Sequence, residues 1–518
     1  MMPETLGEDQ GPWGGPDIAV IGAGPAGLSA AIAAAEAGAR VAVYDENDTA
    51  GGQLFKQIHK FFGSKEHHAG VRGFQIGRRL VDRAMRASVD LLLSTVVFGI
   101  YPGPKLGIYT LGTPARYVKP RGIILAVGAT ERSLPFPGWT LPGVMGAGAA
   151  QTLMNIHRVL PGKRVLMVGS GNVGLIVSHQ LLQAGAEVAA IIEAAPNVGG
   201  YEVHAAKLRR RGVPIHVAHS VARAEGDQAV EAAIIARMAP GGGFEPGSEK
   251  RFAVDLILLA VGLTPQIELA QMAGCELDWQ PAWGGHVVTC DDNMRTSVPG
   301  VYCAGDIART EEAATAIEEG TLAGLACAES LGHIPAELAR EGKCQCRHRL
   351  AGLRGELPAA APPAAEPVPA NPPAAGPSPG RAVAVIECYH NIPCNPCEAA
   401  CRFGAIVVGD DITAPPRLDP TKCTGCGQCI TQCPGLAIFT VLQEEHTGMA
   451  AVSVPYELGD LPREGEMVTG LSREGEPICR AEVSRVQTGQ EKGHTAVVTL
   501  RVPLQFSGTV RAFRREKP

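Results

Sequence analysis

The stretch Asp17–Ala31, "DIAVIGAGPAGLSAA", decides how the first third of the chain is read. "DIAVIG" is a run of apolar residues of the kind that forms a parallel strand buried on both faces. Gly22-Ala23-Gly24-Pro25-Ala26-Gly27 follows it, and "PAGLSAAIAAAEAGA" has the composition of a helix. In a G-x-G-x-x-G turn the first glycine permits the tight turn and the second lets the backbone approach a pyrophosphate. The third lets helix and strand pack closely, and the anion sits at the helix N-terminus. "RVAVYDE" supplies the second strand, with Asp45 at its end, where a carboxylate can accept hydrogen bonds from an adenosine ribose. A glycine-rich turn that merely packs would leave Asp45 unexplained.

The same grammar returns at "KRVLMVGSGNVGLIVSHQLLQAGAEVAAIIEA", with Gly169, Gly171 and Gly174 in the turn and Glu193 ending the second strand. An acidic residue there suits a free ribose 2′-hydroxyl and disfavours a 2′-phosphate, so NAD is the candidate nucleotide. The alternative is a domain kept as scaffold or holding a static nucleotide. Two such openings predict an α/β chain with two Rossmann-like dinucleotide-binding domains.

The 518 residues exceed one ordinary core. A net charge of −6 with 19% charged residues lacks the clustered basic face of a nucleic-acid binder. The acidic start "MMPETLGEDQGPWGG" has no signal-peptide pattern, and no apolar run approaches bilayer-spanning length. The expectation is a cytoplasmic protein without a transmembrane segment. Of 15 cysteines none precedes Cys275 and eight fall between Cys388 and Cys433, a clustering that favours metal ligation over a disulfide scaffold.

Cys423, Cys426, Cys429 and Cys433, the last followed by Pro434, form C-x2-C-x2-C-x3-C-P, a [4Fe–4S] signature. Cys388, Cys394, Cys397 and Cys401 mirror it with five residues in the first gap, which makes Cys388 the least secure ligand. Soft, charge-donating thiolates suit iron, with zinc as the plainer alternative. Upstream, "LPAAAPPAAEPVPANPPAAGPSPG" (Leu357–Gly380) is too rich in Pro and Ala to pack a core and reads as a tether. Downstream, "AAVSVPYEL", "TAVVTLRVP" and "GTVRAFR" read as strands of a small C-terminal β domain, barrel-like and of interface or solubilising use.

Several motifs together carry a resemblance. "GAGPAG", Gly51-Gly52, "ILAVGATER", "LILLAVGLTP" and "VPGVYCAGDIA" resemble the pyridine-nucleotide-disulfide oxidoreductases, over about Asp17 to Gly332. That resemblance implies FAD in the first fold, contacted by Gly22, Gly24, Gly27, Asp45, Gly52, Gln53, Gly305 and Asp306. On the plainer reading, Asp306 is an N-cap to "EEAATAIEEG". The redox cysteine pair of the disulfide reductases is missing, so thiol–disulfide chemistry is not expected. "GATERSLPFPGWTLPGVMGAGAAQ" more closely resembles the α subunits of heteromeric amino-acid oxidoreductases, of the sarcosine oxidase, opine oxidase, hydrogen cyanide synthase and proline dehydrogenase type. These imply an amine-oxidase-like flavoprotein partner that carries the substrate site.

The cysteine octet resembles a two-cluster ferredoxin, in which the fourth cysteine of each run serves the other cluster. Cys388, Cys394, Cys397 and Cys433 would then hold one cluster, and Cys401, Cys423, Cys426 and Cys429 the other. Cys344 and Cys346 read as ordinary thiols or the remnant of a [2Fe–2S] domain, and Cys275, Cys290, Cys303, Cys327 and Cys479 as small buried side chains. "FKQIHKFFGSKEHHAGVRG" (Phe55–Gly73) either brings Lys56 or His59 near a flavin or is a solvated loop on the flavin domain. No catalytic acid or base is assigned.

The expected domains are 16–141 and 262–338 for FAD, 142–261 for NAD, and 339–382 as linker. The two-cluster ferredoxin domain takes 383–443 and the β domain 444–518. The expected function is the FAD and iron–sulfur electron-transfer subunit of a multisubunit dehydrogenase for an amino acid or secondary amine, passing electrons to a carrier. A self-contained NADH:acceptor oxidoreductase is the alternative. A third reading is a protein of assembly that carries out no catalysis.

Overall fold

The computed structural model describes residues 15–103, 105–356, 380–489 and 494–515. The acidic start and most of the Pro/Ala-rich tether lie outside them. The chain forms two compact units.

The first unit combines residues up to 58, 72–131 and 262 onward. Its centre is a five-stranded parallel sheet in the order Val301–Cys303, Gly122–Leu125, Ile18–Ile21, Val41–Tyr44, Asp90–Leu92. Ile18–Ile21, Val41–Tyr44 and Gly122–Leu125 are buried at every position, as strands covered on both faces must be. The helix Pro25–Glu36 leaves the first strand with proline at its opening position, where the missing N–H costs nothing.

A 19-residue helix, Ala336–Arg354, occupies what the sequence reading assigned to the linker from residue 339. Its buried residues, Ala339, Lys343, Cys346, Leu350 and Leu353, recur at alternating spacings of four and three, the stripe of an amphipathic helix. Arg349 bonds Glu318 bidentately at 2.7 and 2.8 Å and Arg354 bonds Glu311 and Glu319, tying this helix to Ala313–Ser330. Gly355, in the left-handed conformation, ends it. Residues 339–354 therefore belong to a helix and not to the linker.

The second unit combines residues 59–71, 132–261 and 380 onward. It holds a second parallel sheet, in the order Ile215–Val217, Glu187–Glu193, Arg164–Val168, Leu256–Leu259, Val144–Gly146. It also holds a seven-stranded antiparallel sheet in the order Val383–Ile386, Ile438–Glu444, Met449–Tyr456, Ala496–Pro503, Pro477–Gln487, Met467–Leu471, Ala512–Arg515. This sheet corrects the boundary expected at 443/444. Ile438–Glu444 pairs with the first ferredoxin strand on one side and with Met449–Tyr456 on the other, so the ferredoxin strands and the C-terminal tail share one ladder. The tail forms β structure as expected, but as an extension of the ferredoxin sheet rather than as a separate barrel.

His59–Val71 corrects another expectation. It is not a solvated loop on the flavin domain but a strap within the second unit, closed on itself by the Phe61 N–H to Val71 O bond of 2.9 Å. Phe62 packs edge-on against Tyr201 and His204, and Gly63 bridges Cys394. Among the described residues no helix is long and apolar enough to cross a membrane.

Candidate functional site

The first glycine turn is held by close backbone approaches at its first and third glycines. Gly22 has φ +102°, and a Cβ there would lie 2.3 Å from Ala126 O; one on Gly27 would lie 1.8 Å from Gly22 O. A Cβ on Gly24 would meet nothing within 4 Å, so protein packing does not demand that glycine, and its face is the one open to close approach by a ligand. Gly51 N–H donates to Ala23 O at 2.7 Å, and Gly52 lies so close that its Cβ would stand 2.8 Å from Gly24 Cα. Gly305 reaches the same turn, a Cβ there standing 3.0 Å from Ala26 Cβ. The fold thus gathers Gly22, Gly24, Gly27, Gly52 and Gly305; Gln53 follows as an exposed residue of the 3-10 turn Gly52–Lys56.

Asp45 braces the turn. Its Oδ2 accepts the Ala23 N–H at 2.6 Å, while Oδ1 accepts the backbone and side-chain N–H groups of Asn47 at 2.9 and 2.8 Å. A carboxylate offers about four acceptor positions, so capacity for a ribose hydroxyl remains. Asp306 is not the N-cap of Ala313–Ser330, a helix that Glu312 opens without a side-chain cap. Its Oδ1 accepts the Glu311 N–H at 3.3 Å, and burial pushes its carboxyl up to about 6. Beside it stands a residue the sequence reading missed. Glu319 accepts the Gly305 N–H at 2.8 Å and the Arg354 guanidinium at 2.6 Å; burial pushes it up to about 7 against the pull of Arg354. The available cue was a charged pair set among small residues in "ATAIEEGTLAG".

The second turn repeats the first. Gly169 has φ +103° with a Cβ position 2.2 Å from Ala260 O, one on Gly174 would lie 2.2 Å from Gly169 O, and one on Gly171 meets nothing within 4 Å. Glu193 Oε2 accepts the Ser170 N–H and hydroxyl at 2.9 and 2.8 Å, and Oε1 the Ala195 N–H at 3.0 Å. Gly200 N–H donates to Ser170 O at 2.8 Å, as Gly51 does to Ala23. Gly199-Gly200 was missed from sequence, yet it follows Glu193 at the spacing with which Gly51-Gly52 follows Asp45.

The eight clustered cysteines fall into two groups, each drawing three residues from one run and one from the other. Cys401, Cys423, Cys426 and Cys429 line one small cavity, open in part to solvent, with Phe403, Ile406 and Thr440 among the other wall residues. Cys388, Cys394, Cys397 and Cys433 form the second group. Burial pushes the Cys388 and Cys397 thiols up to about 12 and Cys394 well above its ordinary range, and the Cys433 charge adds to each rise. Backbone N–H groups point at sulfur in pseudo-symmetric places, Ala405 at Cys401 (3.2 Å) and Ala437 at Cys433 (3.4 Å). All 15 cysteines are unbridged. Among the described residues no group of three or more His, Cys, Asp or Glu side chains is placed to hold a single metal ion. Cys429 also feels the Cys433 and Cys397 charges, so the fit to iron–sulfur ligation rests on the donor type and the cysteine motif. Cys344 is exposed on the late helix and Cys346 buried in its packed face; Cys275, Cys303 and Cys327 are buried, and Cys290 and Cys479 intermediate.

An opine oxidase subunit of Agrobacterium tumefaciens (strain Ach5) is 33% identical over 61% of this chain and 66% of its own length. The sarcosine oxidase alpha subunit of Rhizobium meliloti (strain 1021) is 30% identical over 62% of this chain and 31% of its own. The chain thus spans somewhat under two thirds of the first of these and under a third of the second. The solved L-proline dehydrogenase of P. horikoshii shares the fold at a TM-score of 0.50 and 22% identity, over 65% of this chain and 58% of that one. Residues 416–439, which include Cys423 to Cys433, match the 4Fe-4S binding domain. Residues 16–320 match the pyridine nucleotide-disulphide oxidoreductase family, and the chain belongs to that family.

Proposed function

We propose that this chain is the FAD and iron–sulfur electron-transfer subunit of a multisubunit dehydrogenase that oxidises an amino acid or related secondary amine. The observation that carries the reading is the crosswise grouping of the cysteines, with Cys401 beside Cys423, Cys426 and Cys429 and Cys433 beside Cys388, Cys394 and Cys397. On this reading each group holds one [4Fe–4S] cluster, and Gly22, Gly24, Gly27, Asp45, Gly52, Gln53, Gly305 and Asp306 hold FAD. A bound flavin supplies the conversion of two-electron hydride chemistry into single electrons, the unit that each cluster passes. The substrate pocket belongs to an amine-oxidase-like flavoprotein partner, in keeping with relatives named as oxidase subunits.

The test is anaerobic dye reduction with sarcosine, proline and hydroxyproline, using the chain alone and then co-expressed with an amine-oxidase-like flavoprotein from the same genome. Turnover only on co-expression is expected; robust turnover by the isolated chain would sink the partner assignment.

The complete second turn favours a second reading, a self-contained NADH:acceptor oxidoreductase with a ferredoxin-type acceptor. Glu193 predicts flavin bleaching by NADH and not NADPH, with the preference weakened or reversed in Glu193→Arg. Equal bleaching of the wild type by both nucleotides would refute the NAD assignment, and no bleaching by either would leave the second fold as scaffold.

A further inference from the structure

Around Cys433 the second unit buries three cations from two distant parts of the chain. Lys60, on the strap, is 3% exposed, and Lys207 and Arg210 are 4% and 5% exposed, in and just after the helix Glu202–Arg209. The Lys60 ammonium donates to Thr431 O and, at 2.5 Å, to Thr495 Oγ1; an Arg210 Nη2–H donates to Leu436 O at 2.9 Å. These carbonyl acceptors lie just before and just after Cys433. The strap is itself registered on the same cysteine group, because Gly63 bridges Cys394 and accepts the Asn395 N–H at 3.1 Å. Gly70 packs on Gln432.

Two carboxylates, Glu457 and Glu387, stand among these cations. Glu457 faces Lys207 and accepts the Thr495 hydroxyl at 2.5 Å. Glu387 faces Arg210 but is already bonded by Arg511 at 2.6 Å and Arg473 at 2.5 Å, and Arg211 adds a further cation over Tyr456. Buried positive charge is costly unless anionic groups stand near it. The other cysteine group is the contrast. No wall residue of the Cys401/Cys423/Cys426/Cys429 cavity carries a charged side chain, apart from the thiols themselves when ionised.

We propose that Lys60, Lys207 and Arg210 are a built-in counter-charge for the Cys388/Cys394/Cys397/Cys433 centre, and that they make it the stronger electron acceptor of the two. The proposal rests on the reading that both groups hold clusters. Each electron added to a thiolate-ligated cluster adds one negative charge, and cations fixed in a low-dielectric interior favour that more negative state. The three are positioning residues. Lys60 and Arg210 touch the peptide around the ligand, Lys207 faces Cys433 without a bond to that peptide, and the effect of all three is on potential.

The test is an EPR-monitored redox titration of the full chain, purified anaerobically, with iron and acid-labile sulfide measured on the same samples. Lys60→Met should lower the reduction equilibrium constant of one centre about tenfold, a shift of about 59 mV for one electron, and leave the other unchanged. The shifted centre should be the one lost in Cys394→Ala, and Lys60→Arg should restore its potential. Lys207→Met, on the helix instead of the strap, should act in the same direction and stands in if Lys60→Met loads poorly. About eight irons with no shift, or with equal shifts in both centres, would overturn the cation assignment alone. About four irons in the wild type would overturn the two-centre reading beneath it.

Discussion

Cys388, Cys394, Cys397 and Cys433 sit under a strap and beside three buried cations, whereas Cys401, Cys423, Cys426 and Cys429 line a partly open cavity whose other wall residues are uncharged. The two groups come from near-copies of one motif. The cations come from His59–Val71 and from the helix Glu202–Arg209 and its C-cap Arg210, hundreds of residues upstream. A local motif can therefore specify which atoms ligate without specifying their electrostatic setting. The two glycine turns teach the opposite. They share the same close approaches, an acidic brace from the next strand and a returning Gly-Gly, and differ little in their immediate geometry.

The sharpest way to break the cysteine comparison is to remove one ligand from each group. Cys394→Ala and Cys426→Ala are each expected to lose about four of about eight irons and one of two reduced EPR signals. Loss of all the iron from either variant would mean that the groups are not independent centres. Cys388→Ser tests the stretched gap: retention of all the iron would remove Cys388 from the ligand set.

A middle-sized effect is expected at the glycine turns. Gly24→Ala and Gly171→Ala add a methyl that meets no protein atom within 4 Å, so both variants should fold. If the open faces receive pyrophosphates, that methyl should weaken binding about tenfold, which is about 1.4 kcal/mol. Gly24→Ala should lower flavin content at fixed added FAD, and Gly171→Ala should leave flavin content alone and slow bleaching by NADH. Loss of flavin in Gly171→Ala would reverse the assignment of the two turns.

The smallest effect concerns the buried carboxylates of the flavin unit, which contrast with the buried cations of the iron–sulfur unit. Glu319 is raised from 4.5 to about 7 in the folded chain, and Asp306 from 3.8 to about 6. For acids raised on folding, the stabilising contribution is complete below the unfolded value and is lost as pH rises through the folded one. Tm should therefore fall between about pH 5 and 7, and Glu319→Gln should flatten that slope, by roughly 2–4 °C across the window. Differential scanning fluorimetry checks it; an unchanged slope would show that Arg354 keeps Glu319 ionised throughout.

Much of the molecule was legible because its signals are local. Both strand–glycine–helix openings, the acids Asp45 and Glu193 and the two cysteine runs follow from short spacings, where spacing maps directly onto geometry, whereas the crosswise grouping of the cysteines was implied only by the ferredoxin resemblance. The late helix was misassigned because the density of proline and alanine after Leu357 outweighed the four-and-three stripe from Ala339 to Leu353. The boundary at 443/444 failed for a different reason. A strand's two neighbours are chosen by hydrogen bonds to distant segments, and nothing within "IFTVLQE" says that it pairs on both sides.

The sequence by itself determined the two dinucleotide turns, the eight ligand-type cysteines and their motif, because each depends on contacts within a few residues. Only the tertiary structure decided that His59–Val71 belongs with the iron–sulfur module, that Glu319 braces Gly305, and that Lys60, Lys207 and Arg210 converge near Cys433. Burial and electric field are sums over neighbours brought together by folding, and residues far apart in the chain contribute to them as strongly as adjacent ones.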